Sequence, residues 1–286
     1  MNAPAPHAWL SVHHGDAPLV VSFPHSGTEI PEKIEPSLVS PWLAQKDTDF
    51  WVDVLYDFAH ELGATTIRTS LSRTVIDVNR DPSGASLYPG QTTTGLCPLE
   101  TFDGEPLYKS GHEPGPAEFL RRRAEYFDPY HAALSAELER KRAEFNRVVL
   151  YDAHSIRSRA PRLFDGVLPQ FNIGTNNGVT CAPELTAAVE KICDASDFTR
   201  VTNGRFRGGW ITRRYGNPAA GVHAIQMELA MRGYLPEPTG VLSRANWPAP
   251  LDDVHAARLR VALRDILGGC ITFAHANPNT NPNTNQ

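Results

Sequence analysis

One stretch near the middle of the chain reads Arg147-Val148-Val149-Leu150-Tyr151-Asp152-Ala153-His154-Ser155. A run of apolar residues followed by a polar cluster predicts a buried strand of a mostly parallel sheet, because such strands are covered on both faces and do not alternate. In open α/β sheets, ligands bind just beyond the carboxyl ends of the strands. Asp152 and His154 are two residues apart and therefore share one face of this strand. We predict that both side chains lie at the rim of a pocket.

A second stretch, near the amino terminus, has the same form. It reads Leu19-Val20-Val21-Ser22-Phe23-Pro24-His25-Ser26-Gly27. Each strand is followed by, or ends in, a His-Ser pair, and ligand sites lie at the carboxyl ends of such strands. The two stretches together predict that the imidazoles of His25 and His154 converge on one point.

Hydrophobic spacing and the positions of Gly and Pro predict the remaining elements. Further strands are expected at 64–69, 171–174 and 222–229, and a hairpin or two edge strands at 198–215. Helices are expected at 47–62, from Pro116 onward with a kink at Pro129, at 183–193 and at 252–267. The helix that begins at Pro116 is expected to bury one apolar face, formed by Leu120, Phe127, Leu134 and Leu138. Strands that alternate with helices favour an α/β fold with a largely parallel sheet.

The chain divides into three parts by composition. Residues 1–17 are interpreted as a lead-in, residues 18–275 as a single domain, and residues 276–286, with their repeated Asn-Pro-Asn-Thr, as a disordered tail. Within the domain, residues 81–115 contain many Gly, Pro and Thr and little periodicity, which is typical of a lid or a binding loop.

Composition restricts the class of protein. The 286 residues are 41% hydrophobic and 21% charged, as in a soluble globular protein, and the net charge of -5 gives no indication of nucleic-acid binding. No apolar run approaches the roughly 20 residues of a membrane span. The four cysteines are scattered and the first residues lack the pattern of a signal peptide, so we expect reduced thiols and a cytoplasmic location. The oligomeric state stays open.

A metal site is the first candidate for chemistry. Catalytic zinc commonly takes two histidines and one carboxylate and leaves a fourth position for water. His25 and His154 would supply the imidazoles, while Asp47, Asp49 and Asp152 are alternative carboxylates. Asp152 could instead orient an imidazole without contacting the metal. The competing interpretation is that both histidines only satisfy backbone carbonyls, since the sequence has no H-E-x-x-H motif.

Several arginines and one glutamate are further candidates. The arginines lie in loops or at strand ends, where a guanidinium could hold a substrate carboxylate: Arg73, Arg80, Arg213 and Arg214. For any one of them, an ion pair with Asp77 or Asp81 is the alternative. Glu228 ends an apolar strand, where a buried carboxylate needs a partner or a function. Near a metal it could accept a proton from water, and otherwise it could pair with Arg232.

A serine-hydrolase interpretation has little support. Ser26 and Ser155 lie outside the G-x-S-x-G pattern that exposes a nucleophilic serine on a strained turn. The Gly-containing pieces do not form a phosphate-binding motif.

Six short segments nevertheless occur together in a recognisable order. They read Phe-Pro-His25-Ser-Gly, Asp47-Thr-Asp49, Ser72-Arg73-x-Val-Ile-Asp77-Val-Asn79-Arg80-Asp-Pro, Asp152-Ala-His154-Ser155, Gly208-Gly209-x-Ile-Thr-Arg213 and Gln226-Met-Glu228-Leu. Over roughly residues 18–235 they resemble the N-formylglutamate amidohydrolase (deformylase) family, which belongs with the zinc carboxypeptidase-like hydrolases. The resemblance implies a three-layer α/β/α fold with a mixed, mostly parallel central sheet, and one zinc ion, with other divalent metals as alternatives.

The resemblance also implies roles for individual residues. The metal ligands would be His25, His154 and an aspartate of the Asp47-Thr-Asp49 pair, with Asp49 preferred. Glu228 would be the general base. Substrate contacts would come from Asn79 and Arg80, which hold a carboxylate or polarise the scissile carbonyl, with Arg73 and Arg213 as helpers. The chain departs from carboxypeptidases in lacking their H-x-x-E ligand pair, because Thr28 stands three residues after His25 and Glu29 is only adjacent to that position.

The resemblance therefore implies a zinc-dependent amidohydrolase that converts N-formyl-L-glutamate and water to formate and L-glutamate, the last step of one bacterial route of histidine degradation. The expected partner is a small acidic substrate, with no nucleic acid and no membrane. The alternatives are a deacylase or carboxypeptidase-like hydrolase acting on another N-acyl amino acid, and a non-catalytic binding protein for acidic metabolites.

Overall fold

A computed structural model describes residues 7–85, 90 and 93–276. Residues 277–286 of the predicted tail, and residues 86–89 and 91–92 of the predicted loop, lie outside the described residues. The described chain forms a seven-stranded sheet in the order β1-β3-β2-β4-β7-β5-β6. Its strands are Leu10–His13 (β1), Leu19–Phe23 (β2), Thr65–Thr69 (β3), Val148–Ile156 (β4), Phe171–Gly174 (β5), Arg200–Thr202 (β6) and Val222–Ala230 (β7).

The sheet is mixed and mostly parallel, which confirms the predicted class. Strands β3, β2, β4 and β7 run parallel to one another at its centre. The edge strand β1 is antiparallel to β3, and β5 is antiparallel to β7 while β6 follows β5 in parallel. Every residue of β2 and β4 is buried, which explains their unbroken apolar runs. The nine-residue pairing of β4 with β7 sets His154 beside Glu228.

Helices cover both faces of the sheet. They are Pro41–Gln45 (α1), Val52–Leu55 (α2), Pro116–Arg122 (α3), Asp128–Glu144 (α4), Pro183–Asp194 (α5), Trp210–Tyr215 (α6) and Asp253–His275 (α7). On one face, Leu263 of α7 belongs to the same buried cluster as Val149 of β4. On the other face, Leu134 of α4 clusters with Leu150. Each fully buried leucine contributes roughly 1.5–3 kcal/mol, so these two cores hold the three-layer arrangement together.

Three of the predicted elements need correction. Residues 1–6 of the predicted lead-in lie outside the described residues, but Leu10–His13 belong to the sheet as an edge strand that is too short for its alternation to be recognised. The helix expected at 47–62 is limited to α2 and a 3₁₀ turn at Asp57–Ala59, because Trp51 adopts a left-handed conformation with φ 63°. The segment 198–215 contains one strand, β6, and then the helix α6 instead of a second strand.

The helix that begins at Pro116 is present, but its predicted face is partly wrong. Leu120 is 67% exposed, whereas Phe127, Leu134 and Leu138 are buried. A π turn at Arg123–Phe127 separates α3 from α4 and shifts the helical register between them. Pro129 follows this turn, in the first turn of α4, where a missing N–H is tolerated. Among the described helices, none combines the length and apolar character needed to cross a membrane.

Candidate active site

The two histidines from separate strands meet, as the sequence predicts. His25 lies two residues after the end of β2, and His154 lies inside β4, whose pairing continues to Ile156. Asp152 and His154 therefore stand within the strand and not beyond it. The two imidazole rings are 4.8 Å apart between centroids, and both are buried. Two imidazoles at this distance can share one ion.

Asp49 lies between the two rings. Its Oδ2 is 3.0 Å from His154 Nδ1 and 3.7 Å from His25 Nδ1, and it also accepts the backbone N–H of Ser155 at 3.2 Å. The backbone N–H of Asp49 donates to His25 O at 3.0 Å, which ties the turn before α2 to the end of β2. One potential ligand atom from each of His25, Asp49 and His154 lies within 4.8 Å of the other two. Two imidazoles and one carboxylate form a donor set that suits zinc.

Each imidazole also contacts a further carboxylate through its other ring nitrogen, Nε2. His25 Nε2 is 2.6 Å from Asp77 Oδ1, and His154 Nε2 is 3.1 Å from Asp152 Oδ2. Histidines that bind metals usually have such a partner on the other ring nitrogen, which sets the tautomer. This arrangement turns the Nδ1 atoms of both rings toward Asp49.

The surroundings of His25 Nδ1 show whether a cation fits between the two imidazoles and Asp49. It is buried and has no hydrogen-bond partner among the described residues. A buried polar atom without a partner is costly and uncommon in folded proteins. An ion between His25, Asp49 and His154 would satisfy this nitrogen, so the residues present fit a metal.

The other candidate carboxylates lie elsewhere. Asp47 accepts the backbone N–H of Phe102 at 2.6 Å and pairs with Arg157 at 3.3 Å, and burial raises the pKa of Asp47 to about 6. Glu29 is exposed and accepts a hydrogen bond from Ser70. Asp152 contacts the far nitrogen of His154. Of the four carboxylates considered from the sequence, Asp49 alone lies between the two rings.

Charge around the two imidazoles favours a cation. Burial by itself would raise the pKa of Asp49, but the hydrogen bond with His154 and the nearby imidazole of His25 hold that pKa below its ordinary value. Burial likewise opposes ionisation of Asp77, and the nearby charges of Arg80, His25 and Arg73 keep its pKa well below the usual range. Burial would lower the pKa of His154, yet Asp152 and Asp49 raise it well above its ordinary value. The group of buried acids thus stabilises positive charge at this point.

Replacing Asp152 by asparagine is expected to weaken metal binding about tenfold to a hundredfold, because the amide orients His154 less well than the carboxylate does. Titration of the metal-free variant with zinc, followed calorimetrically, measures this change. Near-normal thermal unfolding of the metal-free form would show that the fold survives. Unchanged affinity would contradict an orienting role, and complete loss of binding would make Asp152 a direct ligand.

Glu228 lies next to this group on the neighbouring strand. Its carboxylate is buried at the wall of a cavity and accepts a hydrogen bond from Gln226 Nε2 at 3.3 Å. Burial raises the pKa of Glu228 to about 8. A carboxyl group with a pKa near neutrality can both take up and release a proton during a reaction. The alternative partner, Arg232, instead donates to Ser158 Oγ at 2.9 Å.

The cavity beside His25, His154 and Glu228 has a volume of about 280 Å³. This is close to the lower limit of about 300 Å³ for small-molecule sites, so a compact ligand fits best. Of the four predicted substrate residues, Arg73, Asn79 and Arg80 line the cavity. Arg213 is not among the lining residues, and its Nε donates to Gly208 O. The substrate role of Arg213 therefore stays a prediction.

Arg73 and Asn79 also contact other residues of the site. Arg73 is buried and pairs with Asp77 at 2.7 Å, so it balances the charge of the acids. Asn79 donates to Asp152 Oδ2 at 3.1 Å and accepts the backbone N–H of Ile211 at 2.8 Å. The contact with Asn79 fixes the position of Asp152, which in turn orients His154.

Sequence reasoning gave no role to several residues of the cavity wall, among them Gln226 and Arg205. Gln226 was part of a quoted segment but had no assigned role, although it joins Gly209 N to Glu228. Arg205 lies in the connection after β6 and lines the cavity. No periodic pattern marks it in the sequence, and only the glycines around it indicate a turn.

Comparison with known proteins identifies the family of this chain. The sequence model of the family described as N-formylglutamate amidohydrolase matches residues 17–235. The chain belongs to this family. It is 45% identical to an N-formylglutamate deformylase of Pseudomonas aeruginosa over 259 residues, which cover 90% of this chain and 96% of that protein. It is 46% identical to an N-formylglutamate deformylase of Pseudomonas putida over 229 residues, 80% of this chain and 85% of that protein.

A solved structure supports the fold of this family member independently. The crystal structure of an N-formylglutamate amidohydrolase from Ralstonia eutropha JMP134 superposes with a TM-score of 0.74 at 26% identity. The superposition covers 94% of this chain and 97% of that one. The mixed sheet and its flanking helices are therefore those of the amidohydrolase family.

Proposed function

We propose that this chain is a metal-dependent deformylase that hydrolyses N-formyl-L-glutamate to formate and L-glutamate. The observation that carries the proposal is the buried group of His25, Asp49 and His154 beside Glu228 at the wall of a small cavity. The choice of substrate rests on the names of the two N-formylglutamate deformylases that are 45% and 46% identical to this chain.

In the proposed reaction, three side chains hold the metal and Glu228 transfers the proton. A divalent cation held by His25, Asp49 and His154, with zinc as the first choice, would polarise a carbonyl and lower the pKa of water toward about 7. Glu228 accepts the proton of the attacking water, whose oxygen adds to the formyl carbon. The C–N bond then breaks, and Glu228 returns the proton to the leaving nitrogen. Water and amide are consumed and formate and amine are produced, so the atoms balance.

We expect Arg80 to bind the substrate near the reacting bond. Its Nε donates to Thr94 O at 3.0 Å, its Nη2 to Thr94 Oγ1 at 2.9 Å, and its Nη1 to Asn79 O at 3.0 Å. Its Nη2 is also 3.5 Å from Asp77, the partner of His25. A guanidinium fixed in this way suits the α-carboxylate or the developing oxyanion of the scissile carbonyl.

We further propose that the reaction serves histidine degradation in the cytoplasm and that the partners are small acidic molecules. All four cysteines are buried and unpaired, which is compatible with a reducing compartment. The net charge of -5 disfavours nucleic acid as a partner.

Formate release tests the proposal. We expect the purified protein to bind one metal ion per chain, to release formate from N-formylglutamate much faster than from N-formylaspartate, and to leave N-acetylglutamate intact. Chelation should abolish the activity and added zinc should restore it. Preference for the acetyl compound would favour a deacylase of another class. Binding of N-formylglutamate without turnover, in a protein loaded with metal, would favour a non-catalytic binding protein.

A further inference from the structure

We infer that Arg205 binds the side-chain carboxylate of the substrate and thereby selects acyl amino acids with two carboxylates. The inference rests on the proposed function and adds a residue that determines specificity. Among the described residues that line the cavity, the arginines are Arg73, Arg80 and Arg205. Arg73 is buried against Asp77. The other two match in number the two carboxylates of an N-acyl dicarboxylic amino acid.

The places of Arg80 and Arg205 in the cavity indicate which substrate carboxylate each arginine binds. Arg80 contacts Asn79 and Asp77, which support the two imidazoles, so it lies next to the reacting bond. Arg205 lies on the part of the cavity wall that Leu163 and Phe206 form. The side-chain carboxylate is the substrate group farther from the scissile bond. We therefore assign this carboxylate to Arg205 and the α-carboxylate or the carbonyl to Arg80, since both arginines line the same cavity.

The guanidinium of Arg205 is held in a defined orientation. Its Nε donates to Leu163 O at 2.7 Å, and its Cζ lies 5.4 Å from the ring centre of Phe206. Phe206 packs edge-on against Phe164 at 6.1 Å. Arg205 is half-buried, so its charge is partly shielded from water. A planar group fixed in this way is suited to bind a carboxylate through two parallel hydrogen bonds.

The connection that carries Arg205 is anchored at both ends. At its start, Asn203 has φ 53°, and its Oδ1 accepts the backbone N–H groups of Thr175 at 2.9 Å and Asn177 at 3.2 Å. At its end, Gly209 N donates to Gln226 Oε1 at 2.6 Å, and Gln226 contacts the general base. A loop ordered before binding loses little entropy when the ligand arrives. The same anchors connect the specificity residue to the catalytic strand β7.

The test compares two substrates of nearly equal shape, N-formylglutamate and its neutral analogue N-formylglutamine. In Arg205→Gln, KM for N-formylglutamate should rise about tenfold to a hundredfold, because a charge-assisted hydrogen bond is lost. The kcat/KM for N-formylglutamine should change less than about threefold, since a neutral amide gains little from the cation. Arg205→Lys keeps the charge without the fork and should give an intermediate KM.

Arg207→Gln is the matched control. Arg207 lies two residues further along the same connection, is exposed and does not line the cavity, so its removal should leave both substrates unaffected. Equal losses for both substrates in Arg205→Gln, or an unchanged preference for N-formylglutamate, would overturn the inference and leave the proposed function intact. A metal-loaded wild-type protein that releases formate from neither substrate would overturn the proposed function and this inference with it.

Discussion

Glu228→Gln is expected to reduce kcat for formate release about a hundredfold to ten-thousandfold, the usual contribution of a general acid–base group. The substitution keeps the shape of the side chain and its place beside Gln226, but removes the carboxylate that we propose takes the proton of the attacking water. Glu228 does not belong to the group of His25, Asp49 and His154, so metal content should stay at the wild-type level. Single-turnover measurement of formate from metal-loaded variant and wild type gives the ratio.

The pH profile provides a second readout for Glu228. A general base works only when deprotonated, so wild-type activity should rise with pH until the pKa of this carboxyl is passed. Burial raises the pKa of Glu228 to about 8, and a bound cation would move that point downward by favouring the carboxylate. The rising limb should disappear in Glu228→Gln, which has no proton to lose at this position.

Glu137→Gln is a control with matched chemistry. Glu137, on α4, is also a buried glutamate, but it pairs with Arg140 of the same helix and with His14, which follows β1. Its replacement should alter stability without changing kcat by more than about twofold, since it lies outside the cavity. A Glu228→Gln variant as active as wild type would remove this residue from the mechanism.

The convergence of His25 and His154 could be predicted because it follows from local rules. Both residues come at or near the carboxyl end of an apolar run, and parallel strands bring these ends together. Glu228 could be predicted as a candidate for the same reason, since a carboxylate in an apolar strand needs a partner. The pairing of β4 with β7 then sets it beside His154, a register that the sequence does not specify.

The choice between Asp47 and Asp49 could not be made from local pattern. Both stand in one turn, and which of them faces the histidines depends on Trp51 with its positive φ and on the distant Phe102, whose backbone binds Asp47. The same holds for α6. Its sequence after Gly208-Gly209 resembles a turn between strands, but the backbone of Ile211 is bound by Asn79, which lies 132 residues earlier. Contacts between distant segments override local propensity at such places.

Asp49→Asn is expected to abolish stoichiometric metal binding and to lower formate release by at least about a thousandfold, because metal assistance is worth several kcal/mol in the transition state. The carboxylate lies 3.0 Å from one imidazole nitrogen and 3.7 Å from the other, so its charge is the main attraction for a cation between them. An amide keeps the shape of this side chain but not its negative charge.

Thermal unfolding measures the same loss without an activity assay. A ligand present at a hundred times its Kd stabilises the folded state by about 2.7 kcal/mol, which should raise the Tm of the wild-type protein by several degrees when zinc is added. Asp49→Asn should show no such shift. Asp47→Asn is the matched control, because Asp47 lies two residues away in the same turn and contacts Phe102 and Arg157 instead of the imidazoles. It should keep both the zinc-dependent Tm shift and the metal content. If the two variants behaved in the opposite way, Asp47 would be the ligand and the turn would have to rearrange when metal binds.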